Sequence, residues 1–142
     1  MIFVDASVLV AILKGEPDAA ALAARLGEHL DEVWVSPLVR FEATASLAVS
    51  RAKGMGREQA GLEDFQVAAS LLDELLREVG AQDLALSPMI GAAALEAAAT
   101  YGKLVGHVAR LNMGDCFAYA CAKSLGTALL YKGNDFTWTD LA

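Results

Sequence analysis

The chain has 142 residues, 56% of them hydrophobic and 20% charged, and 18 acidic residues against 11 basic ones give a formal net charge of −7. A chain of this length buries enough surface to fold without disulfides or a structural metal, which predicts one domain over residues 1–142. The apolar content excludes intrinsic disorder. No apolar run reaches the about 20 residues of a membrane span. The acidity argues against a nucleic-acid partner unless the charges are unevenly placed.

The N-terminus and the cysteines predict a cytoplasmic protein. The opening MIFVD lacks the basic start of a signal peptide. Cys116 and Cys121 lie five residues apart on a predicted helix, a spacing that keeps the two thiols apart. We therefore expect buried free thiols rather than a disulfide or a metal pair.

Four short strands alternate with helices along the chain. Ile2–Val4 and Val33–Val35 predict the first two strands, residues 83–86 a weaker third and residues 128–131 a fourth. Strands that each lead into a helix pair in parallel through right-handed crossovers. This predicts a three-layer α/β/α domain with a short parallel sheet of four to five strands.

The predicted helices have recognisable ends. Short helices are expected over residues 8–13, 17–30 and 114–125. Ser36-Pro37 and Ser87-Pro88 each place an N-cap before a proline, which is typical of a helix start. A long amphipathic helix is predicted from Arg57 to Gly80. Its apolar positions recur every three or four residues, which predicts core or dimer packing for Leu62, Phe65, Ala69, Leu72, Leu76 and Val79.

Three acidic residues follow strands or begin helices. Asp5 directly follows the first strand, Asp135 comes shortly after the fourth, and Asp115 lies in the first turn of a helix. Because the carboxyl ends of parallel strands share one edge of the sheet, these side chains can meet there. Each has an ordinary alternative: Asp5 and Asp115 as helix caps, the latter with Asn112, and Asp135 as a turn former.

Glu42 has no such ordinary alternative. On its predicted helix it is surrounded mainly by apolar positions: Val35, Leu38, Val39, Ala45, Ser46 and Val49. A carboxylate on an apolar face must be paired, protonated or bound to a cation. If the four acids converge, their oxygen ligands favour Mg²⁺ or Mn²⁺ over zinc. Such a site suits phosphodiester chemistry, since the ion lowers the pKa of bound water and stabilises the leaving oxygen.

At these residues the sequence resembles the PIN domain family, and within it the VapC-type toxins of prokaryotic toxin–antitoxin pairs. The matching segments are spread over nearly the whole chain: IFVDASVLVAIL, SPLVRFEA, LNMGDCFAYACAKSLGTALLYKGNDF and the trailing Thr139-Asp140. The resemblance implies a metal-dependent endoribonuclease of the tRNA- or rRNA-cleaving class. It also implies a homodimer and a small cognate antitoxin that blocks the site.

The resemblance also implies roles for individual residues. The catalytic and metal-binding quartet falls on Asp5, Glu42, Asp115 and Asp135. Supporting positions are Ser7 beside the first aspartate, Asn112 before the third acid, and Asn134 before the fourth. Many members carry an acid where this chain has Asn134 or Gly133. His107 and Arg110 are implied as RNA-facing phosphate contacts, with a solvated loop as the ordinary alternative. Weaker candidates for RNA contact are Arg40, Arg51, Lys53 and Arg57. Trp34 and Trp138 have rings that can stack on bases, but a tryptophan beside a strand is more often core or interface, so neither is counted as a candidate.

Two other functions share features with this sequence. A phosphatase of the haloacid dehalogenase type also begins with a strand ending in aspartate, but it needs a second aspartate where this chain has Ser7. A non-catalytic PIN-like module that binds RNA or protein is expected to lack one or more of the acids, and all four are present.

The charges are unevenly distributed along the chain. Residues 58–98 contain eight acidic residues and one basic residue, Arg77, so the remaining chain is neutral. With the four candidate ligands neutralised by metal, that remainder becomes mildly basic. The net acidity therefore does not exclude an RNA substrate.

Overall fold

A computed structural model describes residues 1–142 of the protein, which contain one parallel β-sheet. Its four strands are β1 (Ile2–Val4), β2 (Val33–Val35), β3 (Gln82–Asp83) and β4 (Ala128–Leu130). They pair in parallel in the order β3-β2-β1-β4, so β1 is central. Six helices flank this sheet, which confirms the predicted α/β architecture.

The helices begin and end at the signals that the sequence carries. Ser36 and Ser87 each accept a hydrogen bond at 3.2 Å from a backbone N–H three residues later, and a proline follows each cap. Gly126 ends the last helix in the left-handed conformation, with φ 63°. The helices are α1 (Ala6–Lys14), α2 (Ala19–Gly27), α3 (Pro37–Gly54), α4 (Leu62–Glu78), α5 (Pro88–Tyr101) and α6 (Met113–Leu125).

Helix α4 differs from its prediction in both its start and its buried face. It begins at Leu62 rather than Arg57, because the buried carboxylate of Asp64 binds the Gly61 N–H at 2.7 Å and the guanidinium groups of Arg51 and Arg57 at 2.5 and 2.7 Å. Leu62 and Phe65 are consequently exposed. The buried face of α4 is Asp64, Ala68, Leu72 and Leu76.

Smaller differences occur at two other elements. Helix α2 ends at Gly27, short of the predicted residue 30, and β3 pairs at residues 82–83, one residue ahead of the predicted strand. The two cysteines are buried and free, as expected. The core contains the residues of β1 and β2 except Trp34, which packs against it half-buried. None of the helices has the length and apolar character required to cross a bilayer.

Candidate metal centre at the carboxyl edge of the sheet

Asp5 lies at the carboxyl end of the central strand and also caps α1. Its Oδ2 accepts hydrogen bonds from the Ser7 backbone N–H at 3.1 Å and from Ser7 Oγ at 2.5 Å. Ser7 Oγ in turn accepts from the Lys132 N–H at 3.0 Å. Because both contacts from Ser7 fall on Oδ2, the other carboxylate oxygen, Oδ1, is left available to a ligand.

Asp115 takes part in a reciprocal cap at the start of α6. Its N–H donates to Asn112 Oδ1 at 2.9 Å, and its Oδ2 accepts from the Asn112 N–H at 3.0 Å. The side chain is buried, yet Oδ1 makes no hydrogen bond to the protein. The capping alternatives for Asp5 and Asp115 are therefore both correct, and each cap leaves one carboxylate oxygen free.

Glu42 projects from α3 onto the first turn of α6. Its carboxylate lies directly over Gly114: a Cβ at that glycine would fall 2.1 Å from Oε2 and 2.6 Å from Oε1. The half-buried carboxylate accepts no hydrogen bond. Gly114 thus forms a cradle for an acid that the protein itself leaves uncompensated.

The acids influence one another electrostatically. Burial, followed by the charges of Asp5 and Asp115, raises the pKa of Glu42 to about 7. Burial and the charges of Asp5 and Asp135 raise the pKa of Asp115 to about 6, although the Asn112 N–H opposes the rise. Burial also raises the pKa of Asp5, against the hydrogen bonds from Ser7. Asp5 and Asp115 therefore form the centre of a cluster that Glu42 and Asp135 flank.

Asp135 is exposed in the turn after β4. With Asn134, it lines a cavity of about 340 Å³ that reaches Asp115 and Arg110. The turn is held at Lys132, whose N–H binds Ser7 and whose ammonium group pairs with Glu16 and Asp18. The structure thus brings Asp135 close enough to act electrostatically on Asp5 and Asp115.

The structure does not bring every candidate RNA contact to this cavity. His107 is turned towards Tyr101, with ring centroids 5.3 Å apart, and its Nδ1 accepts from the Ala109 N–H at 3.0 Å. Arg40 is paired with Asp83 and Asp73, while Arg51 and Arg57 are paired with Asp64. The cations that line the cavity are Lys103 and Arg110, and neither forms an ion pair.

The donor set fits a hydrated Mg²⁺ or Mn²⁺ ion. No three acidic, histidine or cysteine side chains form a closed ligand set in this structure. Mg²⁺ does not require one, because it binds through one or two carboxylates and keeps several waters. The free oxygens of Asp5 and Asp115 and the uncompensated Glu42 supply donors of this kind.

The sequence did not single out Gly114 or Lys132. Gly114 is needed because of the close approach of Glu42, and its only sequence signal is a glycine inside the first turn of a helix beside an acid. Lys132 acts through its backbone N–H on Ser7 and through a side-chain ion pair with α1–α2 loop residues. No local pattern marks either contact.

The raised pKa values predict how metal-free protein responds to pH. An acid whose pKa is raised in the folded protein stabilises the fold at pH values below its pKa in the unfolded chain. This contribution is lost as the pH rises through its pKa in the folded protein. For Glu42 that interval runs from 4.5 to about 7. We expect the Tm in EDTA to fall by about 5–10 °C over this range and Mg²⁺ to reverse the fall at the upper end. Thermal denaturation of wild type and Glu42→Gln tests this, and an equal fall in both proteins would contradict it.

Comparison with known proteins identifies the family. The model of the PIN domain family matches residues 2–140. A VapC ribonuclease of Rhizobium meliloti (strain 1021) is 45% identical over 141 residues, covering 99% of both chains. Ribonuclease VapC42 of Mycobacterium tuberculosis (strain ATCC 25618 / H37Rv) is 36% identical, covering 97% of this chain and 95% of the relative.

Solved structures share the fold. VapC20 of Mycobacterium tuberculosis, described as a Sarcin-Ricin loop cleaving toxin, superposes with a TM-score of 0.67 at 18% identity, covering 96% of this chain and 93% of the other. FitAcB from Neisseria gonorrhoeae gives a TM-score of 0.69 at 19% identity, covering 100% and 95%. The chain belongs to the PIN domain family, in its branch of VapC ribonucleases.

Proposed function

We propose that the protein is a Mg²⁺-dependent endoribonuclease toxin that hydrolyses RNA phosphodiester bonds, with Mn²⁺ as an alternative ion. The observation that carries the proposal is the cluster of acids at the carboxyl edge of β1, where two capped aspartates each keep one oxygen free beside an uncompensated Glu42. The ribonuclease names of its full-length relatives support an RNA substrate. A tRNA or rRNA is the class we propose.

Each residue of the cluster has a defined part in this proposal. Asp5 and Asp115 hold the ion, with Ser7 fixing the orientation of Asp5 and Asn112 that of Asp115. Glu42 and Asp135 add further negative charge to that of these two aspartates. A bound divalent ion supplies a lowered pKa for its water and neutralises charge on the phosphodiester.

Basic and amide side chains of the cavity serve the RNA backbone. Arg110 lies at the cavity that Asp115 and Asp135 line and has no acidic partner, so its guanidinium is free to bind a phosphate. Asn134 lines the same cavity and offers an amide to the same group. We do not assign His107 to the RNA, because its Nδ1 is engaged by the loop.

We further propose that the protein is a homodimer held inactive by a cognate antitoxin. One chain of a toxin–antitoxin complex from Klebsiella pneumoniae has the same fold. It superposes with a TM-score of 0.62 at 16% identity, covering 99% of this chain and 93% of the other. Exposed apolar side chains, among them Phe41 and Leu62 on the α3–α4 surface, offer contact area for a partner.

The chemistry of the cut ends tests the proposed reaction. Attack of water on phosphorus with departure of the 3′ oxygen gives a 5′-phosphate and a 3′-hydroxyl. We expect these ends when purified protein cleaves total tRNA or rRNA with Mg²⁺, as read by ligation-dependent sequencing of the fragments. Ends bearing 2′,3′-cyclic phosphate would show attack by the 2′-hydroxyl and would refute the mechanism. An Asp115→Asn preparation controls for contaminating ribonucleases.

A further inference from the structure

Trp138 is held in an exposed position near the end of the chain. Its side chain is 59% exposed, whereas the neighbouring residues Phe136 and Thr139 are buried. Phe136 packs against Tyr131 with ring centroids 4.9 Å apart, and Thr139 donates to the Phe136 carbonyl from both its N–H, at 3.1 Å, and its hydroxyl, at 2.8 Å. The indole is therefore presented to solvent by an anchored turn.

The exposed indole lines the cavity of about 340 Å³ that Asp115 and Asp135 also line. This volume is at the lower end of the about 300–1,000 Å³ typical of small-ligand pockets. Trp34, the other tryptophan of the chain, lies in β2 and packs against the core instead. Trp138 is thus the one tryptophan placed next to the acidic cluster.

Arg110 brings a positive charge to the cavity that Asp115 and Asp135 line. It has a left-handed backbone conformation, with φ 52°, which is uncommon for residues other than glycine. Its N–H donates to the His107 carbonyl at 3.0 Å, and the next N–H, of Leu111, donates to the Tyr101 carbonyl at 3.1 Å. The loop therefore holds the backbone of a cation that has no acidic partner and that lines the same cavity as the indole.

The cavity offers complementary groups for one nucleotide: an aromatic face for the base and a free cation for the phosphate, next to the proposed metal-binding acids. Aromatic side chains stack on bases that are unstacked from their neighbours, as in RNA loops and single strands. Resting on the proposed ribonuclease function, we propose that Trp138 is a stacking platform for the base of an unpaired nucleotide next to the scissile phosphate. Arg110 contacts the phosphate of that nucleotide. The enzyme then selects unpaired RNA through Trp138, with little preference for base identity.

Fluorescence of Trp138 tests the proposal without requiring cleavage. In a Trp34→Phe, Asp115→Asn protein, Trp138 is the sole tryptophan and the RNA stays intact. We expect a short unstructured RNA of mixed sequence to quench its emission saturably, and the same strand in a duplex to quench it weakly. The absence of quenching by the single strand, or equal quenching by the duplex, would overturn the proposal.

Cleavage by variants at this position supplies the second arm. Trp138→Ala is expected to lower kcat/KM by about 5–100-fold, chiefly through KM, with Trp138→Phe retaining most of the activity and Trp34→Phe all of it. If wild type cleaves RNA and Trp138→Ala has the same KM, the stacking proposal fails while the ribonuclease proposal stands. If wild type does not cleave, the ribonuclease proposal fails, and the fluorescence titration still decides whether Trp138 binds unpaired RNA.

Discussion

Replacing Asp115 by asparagine is expected to lower RNA cleavage by more than about 100-fold, because even partners outside the direct ligand set of a metal commonly contribute 10–100-fold. Asparagine keeps an oxygen that can accept the Asn112 N–H, so the cap of α6 survives while the charge is lost. Since that charge is buried among other acids, the metal-free variant should unfold at a temperature no lower than that of wild type.

A control substitution on the surface shows whether activity falls because the metal site is lost or because the protein has one negative charge fewer. Asp73→Asn removes an exposed carboxylate on α4 that pairs with Arg40, and we expect it to keep wild-type cleavage. Initial rates on one defined RNA, with Mg²⁺ in excess, measure both variants. If Asp115→Asn cleaves RNA at a rate within a few-fold of wild type, Asp115 has no essential role in the site.

Replacing Gly114 by alanine is expected to lower cleavage by about 10–100-fold while preserving the fold. The new methyl group would lie 2.1 Å from Glu42 Oε2, so the carboxylate must move out of its cradle. Because the clash is with the end of a flexible side chain, the helix itself can accept alanine. Gly91→Ala is the control, since a Cβ there meets nothing within 4 Å and should leave activity unchanged.

A double variant shows whether the Gly114→Ala effect passes through Glu42. In a Glu42→Ala background no carboxylate remains to be displaced, so adding Gly114→Ala should cause no further loss. Full additivity of the two losses would mean that alanine acts on α6 directly. Circular dichroism and thermal denaturation of all four proteins check that the comparison is made between folded chains.

The sequence predicted the sheet and most helix boundaries because the signals are local. Ser36-Pro37 and Ser87-Pro88 start helices through a hydroxyl that reaches an N–H three residues away. The start of α4 depended instead on long-range ion pairs. Asp64 gathers Arg51 and Arg57 from the end of α3 and the following loop, and this network turns Leu62 and Phe65 outwards. Hydrophobic periodicity contains no information about such a network.

The candidate site was predictable in its acids but not in its support. Asp5 and Asp115 follow from their places after a strand and at a helix start, and Glu42 follows from its apolar neighbours. The cradle at Gly114 and the contact from the Lys132 N–H to Ser7 join residues far apart in the chain. The predicted charge division was also too simple, because Arg40, Arg51 and Arg57 neutralise acids of the 58–98 segment.

Anomalous scattering from crystals grown with Mn²⁺ tests the central claim most directly, namely that these carboxylates form a divalent-cation site. We expect anomalous density between Asp5 and Asp115, on the side where Glu42 lies, in wild type and in Gly91→Ala. The same density should be absent from Asp115→Asn. Crystals of a protein that cleaves RNA but binds Mn²⁺ only elsewhere, or not at all, would contradict the proposed site.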